Sequence, residues 1–103
     1  MSSRLEMLEM MLEKGSRDPF HWYARAMELR SLDRLEEALE AFSEVRAAFA
    51  DYVPTFLMAA QVAQELDRDE DARTWARDGI AVAERVGDDH AARELQQLLD
   101  LLD

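Results

Sequence analysis

The sequence contains no cysteine, which excludes disulfides, thiolate metal sites and a cysteine nucleophile. Glycine and proline are scarce, three and two in 103 residues, so little chain is left for linkers or disorder. Gly15, Gly79 and Gly87 stand apart from one another, so no glycine-rich loop exists to cradle a phosphate. Basic charge is short as well: 12 Lys and Arg, all but one of them Arg, oppose 23 Asp and Glu for a net charge of −11. Binding to nucleic acid or to an anionic membrane surface requires clustered cations, and this balance speaks against both. No apolar run reaches the roughly 18 residues of a membrane-spanning helix. The opening Ser2-Ser3-Arg4-Leu5-Glu6-Met7-Leu8-Glu9 is broken by acids where a signal peptide would be apolar. The expectation is a soluble, cytoplasmic protein whose acid excess keeps it in solution; halophilic adaptation produces the same excess.

What is present is a hydrophobic fraction of 49%, enough for one folded domain over residues 1–103, and an internal repeat. Leu32-Asp33-Arg34-Leu35-Glu36-Glu37-Ala38 returns as Leu66-Asp67-Arg68-Asp69-Glu70-Asp71-Ala72, identical at five of seven positions and offset by 34 residues. A period of this length marks stacked helical hairpins, none of which buries its apolar face alone. Around it the spacing predicts six helices. The first runs over 3–14, where Ser3 and Glu6 have the form of a capping box ahead of Leu5, Leu8, Met11 and Leu12, and Gly15 stops it. Asp18-Pro19 opens the second, with Trp22, Ala26 and Leu29 on one face. Asp33 is expected to cap the third, which carries Ala38, Leu39, Phe42, Val45 and Phe49. The fourth starts near Pro54 with Phe56, Ala59, Ala60 and Ala63. The fifth starts near Asp67 or Asp69, holds Ala72, Trp75, Ala76, Ile80 and Ala83, and ends at Gly87. Asp88 or Asp89 caps a last helix through Leu95, Leu98, Leu99 and Leu102. Short connections make neighbours antiparallel, and no segment alternates as a half-buried strand does.

These residues resemble the tetratricopeptide repeat, a helix-turn-helix of about 34 residues. Trp22 and Phe56 match its early aromatic, Ala26 and Ala60 its small contact residue, Ala38 and Ala72 its alanine early in the second helix, and Phe42 its later aromatic. Asp18-Pro19-Phe20 and Asp51-Tyr52-Val53-Pro54 are similar to a subgroup of small bacterial members. The resemblance implies an all-α, right-handed superhelix, with repeats at 19–52 and 53–86 and a capping helix at 88–102. Three departures stand out. Ala76 replaces the second later aromatic, with Trp75 beside it as compensation; Leu29 and Ala63 replace another; and Arg25 stands at an aliphatic position, which calls for an ion pair such as one with Glu28. Trp22 is expected to be buried, so that Trp22→Ala costs about 3–5 kcal/mol.

Chemistry finds little foothold. His21 and His90 are the only histidines, and none of the seven hydroxyl residues from Ser2 to Thr74 sits in a nucleophile elbow. His90 and Glu94, one helical turn apart, fall short of a zinc set. Asp67, Asp69, Asp71 and Asp78 imitate a calcium loop, but Ala72 stands where that loop turns on glycine. Acids at a helix start answer to the helix dipole without any metal. The reading is a non-enzyme with no cofactor and no metal.

In an array of this kind the first helices of successive hairpins line a concave groove. Stepping by 34 groups Tyr23 with Leu57 and Ala91, Met27 with Gln61 and Leu95, and Arg30 with Gln64 and Leu98. Family members that clamp a terminal carboxylate use Lys and Asn where this chain has Tyr23 and Met27, so that mode is not expected. A peptide or helix with apolar anchors fits the mixed surface better, Tyr and Met supplying adaptable contact. The alternative is self-assembly as a homodimer through the terminal helices, where Leu98, Leu99, Leu101 and Leu102 crowd one end and Met7, Met10 and Met11 the other.

Overall fold

The computed structural model describes residues 2–103 as six helices: α1 (Ser3–Glu13), α2 (Pro19–Ser31), α3 (Leu35–Ala48), α4 (Pro54–Glu65), α5 (Asp69–Val86) and α6 (Asp89–Leu102). Among the described residues there is no strand, and no helix is long and apolar enough to cross a membrane. Two starts fall where the sequence puts them. The Asp18 carboxylate accepts from the Phe20 amide at 2.9 Å, with Pro19 in the first turn, and Asp88 accepts from the Ala91 amide at 3.0 Å. At α1 the cap is Ser2, not Ser3. Its Oγ accepts from the Leu5 amide at 3.1 Å, and its hydroxyl donates to Glu28 at 2.8 Å, which ties the start of α1 to the end of α2.

The repeated Leu-Asp-Arg is a helix stop rather than a helix start. Asp33 and Asp67 take left-handed backbone conformations, with φ of 60° and 59°. Behind them Arg34 N–H reaches Leu29 C=O and Asp33 N–H reaches Arg30 C=O, both at 2.9 Å. Arg68 N–H and Asp67 N–H do the same to Ala63 and Gln64, at 2.8 and 3.0 Å. This is the Schellman pattern, which satisfies carbonyls left over at a helix end. Gly15 and Gly87 close α1 and α5 by the same bonds. Aspartate is among the few chiral residues that tolerate this region. Helices α3 and α5 therefore begin two residues beyond it, without a side-chain cap. Their first turns hold Glu36 and Glu37, and Asp69, Glu70 and Asp71, where negative charge meets the positive end of the dipole.

Packing follows from small residues at the crossings. Ala26, Ala38, Ala59, Ala60, Ala63, Ala72, Ala76 and Ala83 are all 0% exposed, so the helix backbones approach closely. The core between them is filled by Leu29, Phe42, Val45, Phe56, Val62 and Leu95. Each helix packs on the next, and the hairpins stack into a right-handed superhelix. Backbone contact also runs from α2 to α4 and from α4 to α6, whereas the backbones of α1, α3 and α5 do not meet one another. The stack is therefore tight along its first helices and fans open along its second helices.

Two aromatic expectations resolve differently. Trp75 lies edge-on to Phe56 with centroids 5.8 Å apart and so supplies the ring that Ala76 omits. Trp22 is not buried as expected. It packs edge-on against Phe49 at 5.5 Å and donates its indole N–H to Ser16 C=O at 2.9 Å, but it remains half-buried. Ala41 occupies the position that Trp75 holds one repeat later and is too small to cover it. Arg25 does find an ion pair, though with Glu44 on α3 at 3.1 Å rather than with Glu28.

Gly79 sets the closest approach. A Cβ there would lie 2.5 Å from Phe56 Cβ and 2.9 Å from Leu95 Cδ1, so this mid-helix glycine lets α5 press against α4 and α6 together. Gly79→Ala should destabilise the fold by about 1–3 kcal/mol although alanine gains about 1 kcal/mol of helix propensity; urea denaturation reads the sign. Phe56→Ala should cost about 3–5 kcal/mol and Trp22→Ala distinctly less. Equal costs would contradict the open side of Trp22.

Candidate functional site

The tight side of the stack carries a hollow of about 270 Å³ between α2, α4 and α6. Tyr23 and Leu57 form its walls with Met58 and Ala91, while Val53 and Pro54 close the end where α4 begins. Leu95 forms the floor, but at 1% exposure it belongs to the core and offers a partner almost no surface. Asp88, His90 and Glu94 stand at the mouth, and His90 meets Glu94 at 2.9 Å. The hollow is smaller than the roughly 300–1,000 Å³ of small-molecule sites; its scale is that of one or two apolar side chains.

Tyr23 is held by aromatic neighbours on two sides, Phe42 at 5.9 Å and Tyr52 at 5.6 Å between centroids. Burial pushes its hydroxyl above the usual tyrosine range, Tyr52 adds to the shift, and Arg30 opposes it. The ring is thus an uncharged wall with a polar tip.

Of the residues grouped by the repeat period, the hollow joins Tyr23, Leu57, Ala91 and Leu95 and leaves the others outside. Met27 is half-buried against the core. Arg30 donates to Gln61 Oε1 at 3.1 Å and pairs with Glu65, so both it and Gln61 are engaged by the chain itself. Gln64 is exposed at the end of α4. Sequence reasoning did not place Val53, Pro54, Met58, Asp88, His90 or Glu94 on this surface, weighing His90 and Glu94 only as a metal pair. Met58 lies about 100° round α4 from Leu57 and off the grouped repeat positions, and Asp88 reads in the sequence only as a cap, so neither gives a separate signal.

The terminal helices are partly accounted for. Leu98, Leu99 and Leu102 pack against the core or lie buried, and Arg73 fastens the end of α6 by donating to Leu102 C=O at 2.8 Å and to Asp103 at 3.2 Å. Leu101 is 82% exposed, and on α1 Met7 and Met10 are 52% and 53% exposed.

Ser16, Asp18 and His21 meet in the α1–α2 connection. Ser16 Oγ lies 2.7 Å from His21 Nδ1 and accepts from the Asp18 amide at 3.3 Å. The His21 Nε2 stands 3.9 Å from Asp18, beyond hydrogen-bond range, so the acid does not orient the ring, and the cluster is a lock on the turn. Asp78, the last member of the calcium-like series, instead pairs with Arg46 at 2.9 Å. Among the described residues no three His, Asp or Glu side chains are placed to hold a metal ion.

No family model matches the sequence, and no curated protein matches it. Solved structures do. A tetratricopeptide repeat domain protein from Salinibacter ruber, determined by solution NMR, is 34% identical over 84% of this chain and 87% of its own, with a TM-score of 0.80. A crystal structure of the same Salinibacter ruber protein matches with 34% identity over 82% of this chain and 94% of its own, at a TM-score of 0.76. A protein from Bordetella parapertussis shares the fold, with a TM-score of 0.84 at 22% identity over 99% of this chain and 89% of its own. With its 34-residue hairpins stacked as theirs are and this identity carried across most of both chains, the protein belongs to the tetratricopeptide-repeat domain family.

Proposed function

We propose that this domain is a non-catalytic adaptor that holds a peptide or helix of a protein partner along α2, α4 and α6. The observation that supports it is the hollow itself: the first helices of the two repeats and the capping helix α6 converge on one apolar recess flanked by Tyr23 and Leu57. An anchor side chain entering it meets Leu57, Met58 and Ala91, while the partner's backbone passes the polar groups at the mouth. Aromatic and Met walls adapt to an anchor of more than one shape, and helix-in-groove recognition works through such anchors. The domain needs no cofactor for this role.

The exposed Met7 and Met10 favour one second reading, self-assembly through α1 across a two-fold axis. The C-terminal end contributes less to it, because Arg73 and the core hold α6 down.

Affinity capture with wild type and with the Tyr23→Ala/Leu57→Ala double variant tests the adaptor reading. Partner recovery should be lost in the double variant and also in Ala91→Arg, which fills the hollow from a half-exposed position and spares the aromatic contacts of Tyr23. A partner retained by both variants would remove the hollow from consideration. Deleting residues 98–103 should lower the melting temperature without changing the oligomeric state, checked by calorimetry and sedimentation. A dimer that becomes a stable monomer would assign the tail to an interface instead.

A further inference from the structure

The open side of the stack presents two gaps between second helices, and the chain fills only one of them. Between α3 and α5, the Arg46 guanidinium lies 5.3 Å from the Phe56 ring centroid and 5.4 Å from that of Trp75, and it pairs with Asp78 at 2.9 Å. One period earlier, between α1 and α3, the corresponding positions are Leu12 for Arg46, Trp22 for Phe56, Ala41 for Trp75 and Glu44 for Asp78. The aromatic floor and the carboxylate remain and Phe49 packs edge-on against Trp22, but no arginine stands at the position of Arg46 and no ring at that of Trp75. What is left is a groove of about 630 Å³ in which Glu9 and Glu13 of α1 face Glu44, Ala47 and Ala48 of α3 across Trp22.

Charge says what fits. Three carboxylates line the groove against one cation, Arg25, which is spent on Glu44 at 3.1 Å. Among the described residues neither Glu9 nor Glu13 makes an ion pair. A cation over an aromatic face gains most where water is partly excluded, and the guanidinium is the group best suited to stack and bridge carboxylates together.

We propose that the α1–α3 groove is a second docking site, independent of the hollow on the opposite side, which takes an arginine side chain from a partner protein. The guanidinium stacks over Trp22 and pairs with Glu9 and Glu13, Glu44 being held by Arg25, much as Arg46 stacks over Phe56 within the chain one repeat later. The groove exceeds one side chain in volume, so apolar neighbours of that arginine settle on Leu12 and Ala47.

The test uses a short peptide of alternating leucine and arginine, with blocked ends, titrated into the full chain and followed by NMR at the Trp22 indole N–H and the Ala47 and Ala48 amides. Saturable shifts are expected there. The citrulline version of the peptide, which keeps shape but loses charge, should bind about tenfold more weakly, the scale of one desolvated cation–aromatic contact. The Glu9→Gln/Glu13→Gln variant should weaken binding comparably, since neither substitution touches the core. Leu12→Arg, which supplies internally the side chain that the next gap already holds, should abolish binding while the protein stays folded. The proposal is overturned if no shift saturates, if citrulline binds equally well, or if Leu12→Arg binds as wild type does. Shifts confined to Tyr23 and Leu57 would overturn it while leaving the adaptor reading standing. Shifts at Trp22 that grow with the concentration of protein alone would give the groove to a second copy of the chain and overturn it too.

Discussion

The close approach of helix backbones through alanine and glycine is the constraint on which the rest of this structure depends. With eight alanines at 0% exposure at the crossings and Gly79 admitting Phe56 and Leu95 to the backbone of α5, α4, α5 and α6 have almost no freedom to separate. Large side chains are pushed to the layers between crossings, where Phe42, Phe56 and Leu29 fill the volume that the alanines leave. Interiors packed this way tolerate neither a cavity nor an added methyl. Because the backbones of the first helices meet and those of the second helices do not, one side of the molecule is tight with a small recess and the other is more open. Both candidate surfaces follow from that asymmetry.

Arginine spans the distances that the fan leaves. Arg46 to Asp78, Arg68 to Glu36 and Arg85 to Asp51 each join a residue to another about one repeat away in sequence, and Arg30 to Glu65 does so along the tight side. These pairs are at least partly exposed, and each alone contributes little to stability. Their regular spacing still favours one stacking register over others. A chain with a net charge of −11 thus commits many of its few cations to holding its own repeats in line and leaves carboxylates such as Glu9 and Glu13 to face outward.

Much of the fold was legible because the hairpin period, the caps at Asp18 and Asp88 and the glycine stops are local signals. Four of the buried alanines could be read for the same reason: Ala26 with Ala60 and Ala38 with Ala72 recur at the repeat period. What was not legible depended on the third dimension. Asp33 and Asp67 read as caps because aspartate favours both a helix start and a left-handed stop, and only the backbone distinguishes them. Trp22 reads as buried because it matches the early aromatic of the repeat, but its cover depends on Ala41, which lies elsewhere in the chain. Stepping by the period found Tyr23, Leu57 and Ala91, yet it placed Leu95 on the surface, because the step counts residues and ignores how deeply α6 sinks beside Gly79. Arg30 and Gln61 looked available until their mutual hydrogen bond was seen.

The first helix has a different standing from the other five. Among the described elements its backbone meets only that of α2, and it is joined to it through the left-handed turn at Gly15 and the Ser2–Glu28 hydrogen bond. Helices anchored on one side open locally at a smaller free energy than the domain needs to unfold. One wall of the α1–α3 groove therefore rests on a single neighbour, and local opening of α1 would widen that groove without unfolding the other five helices.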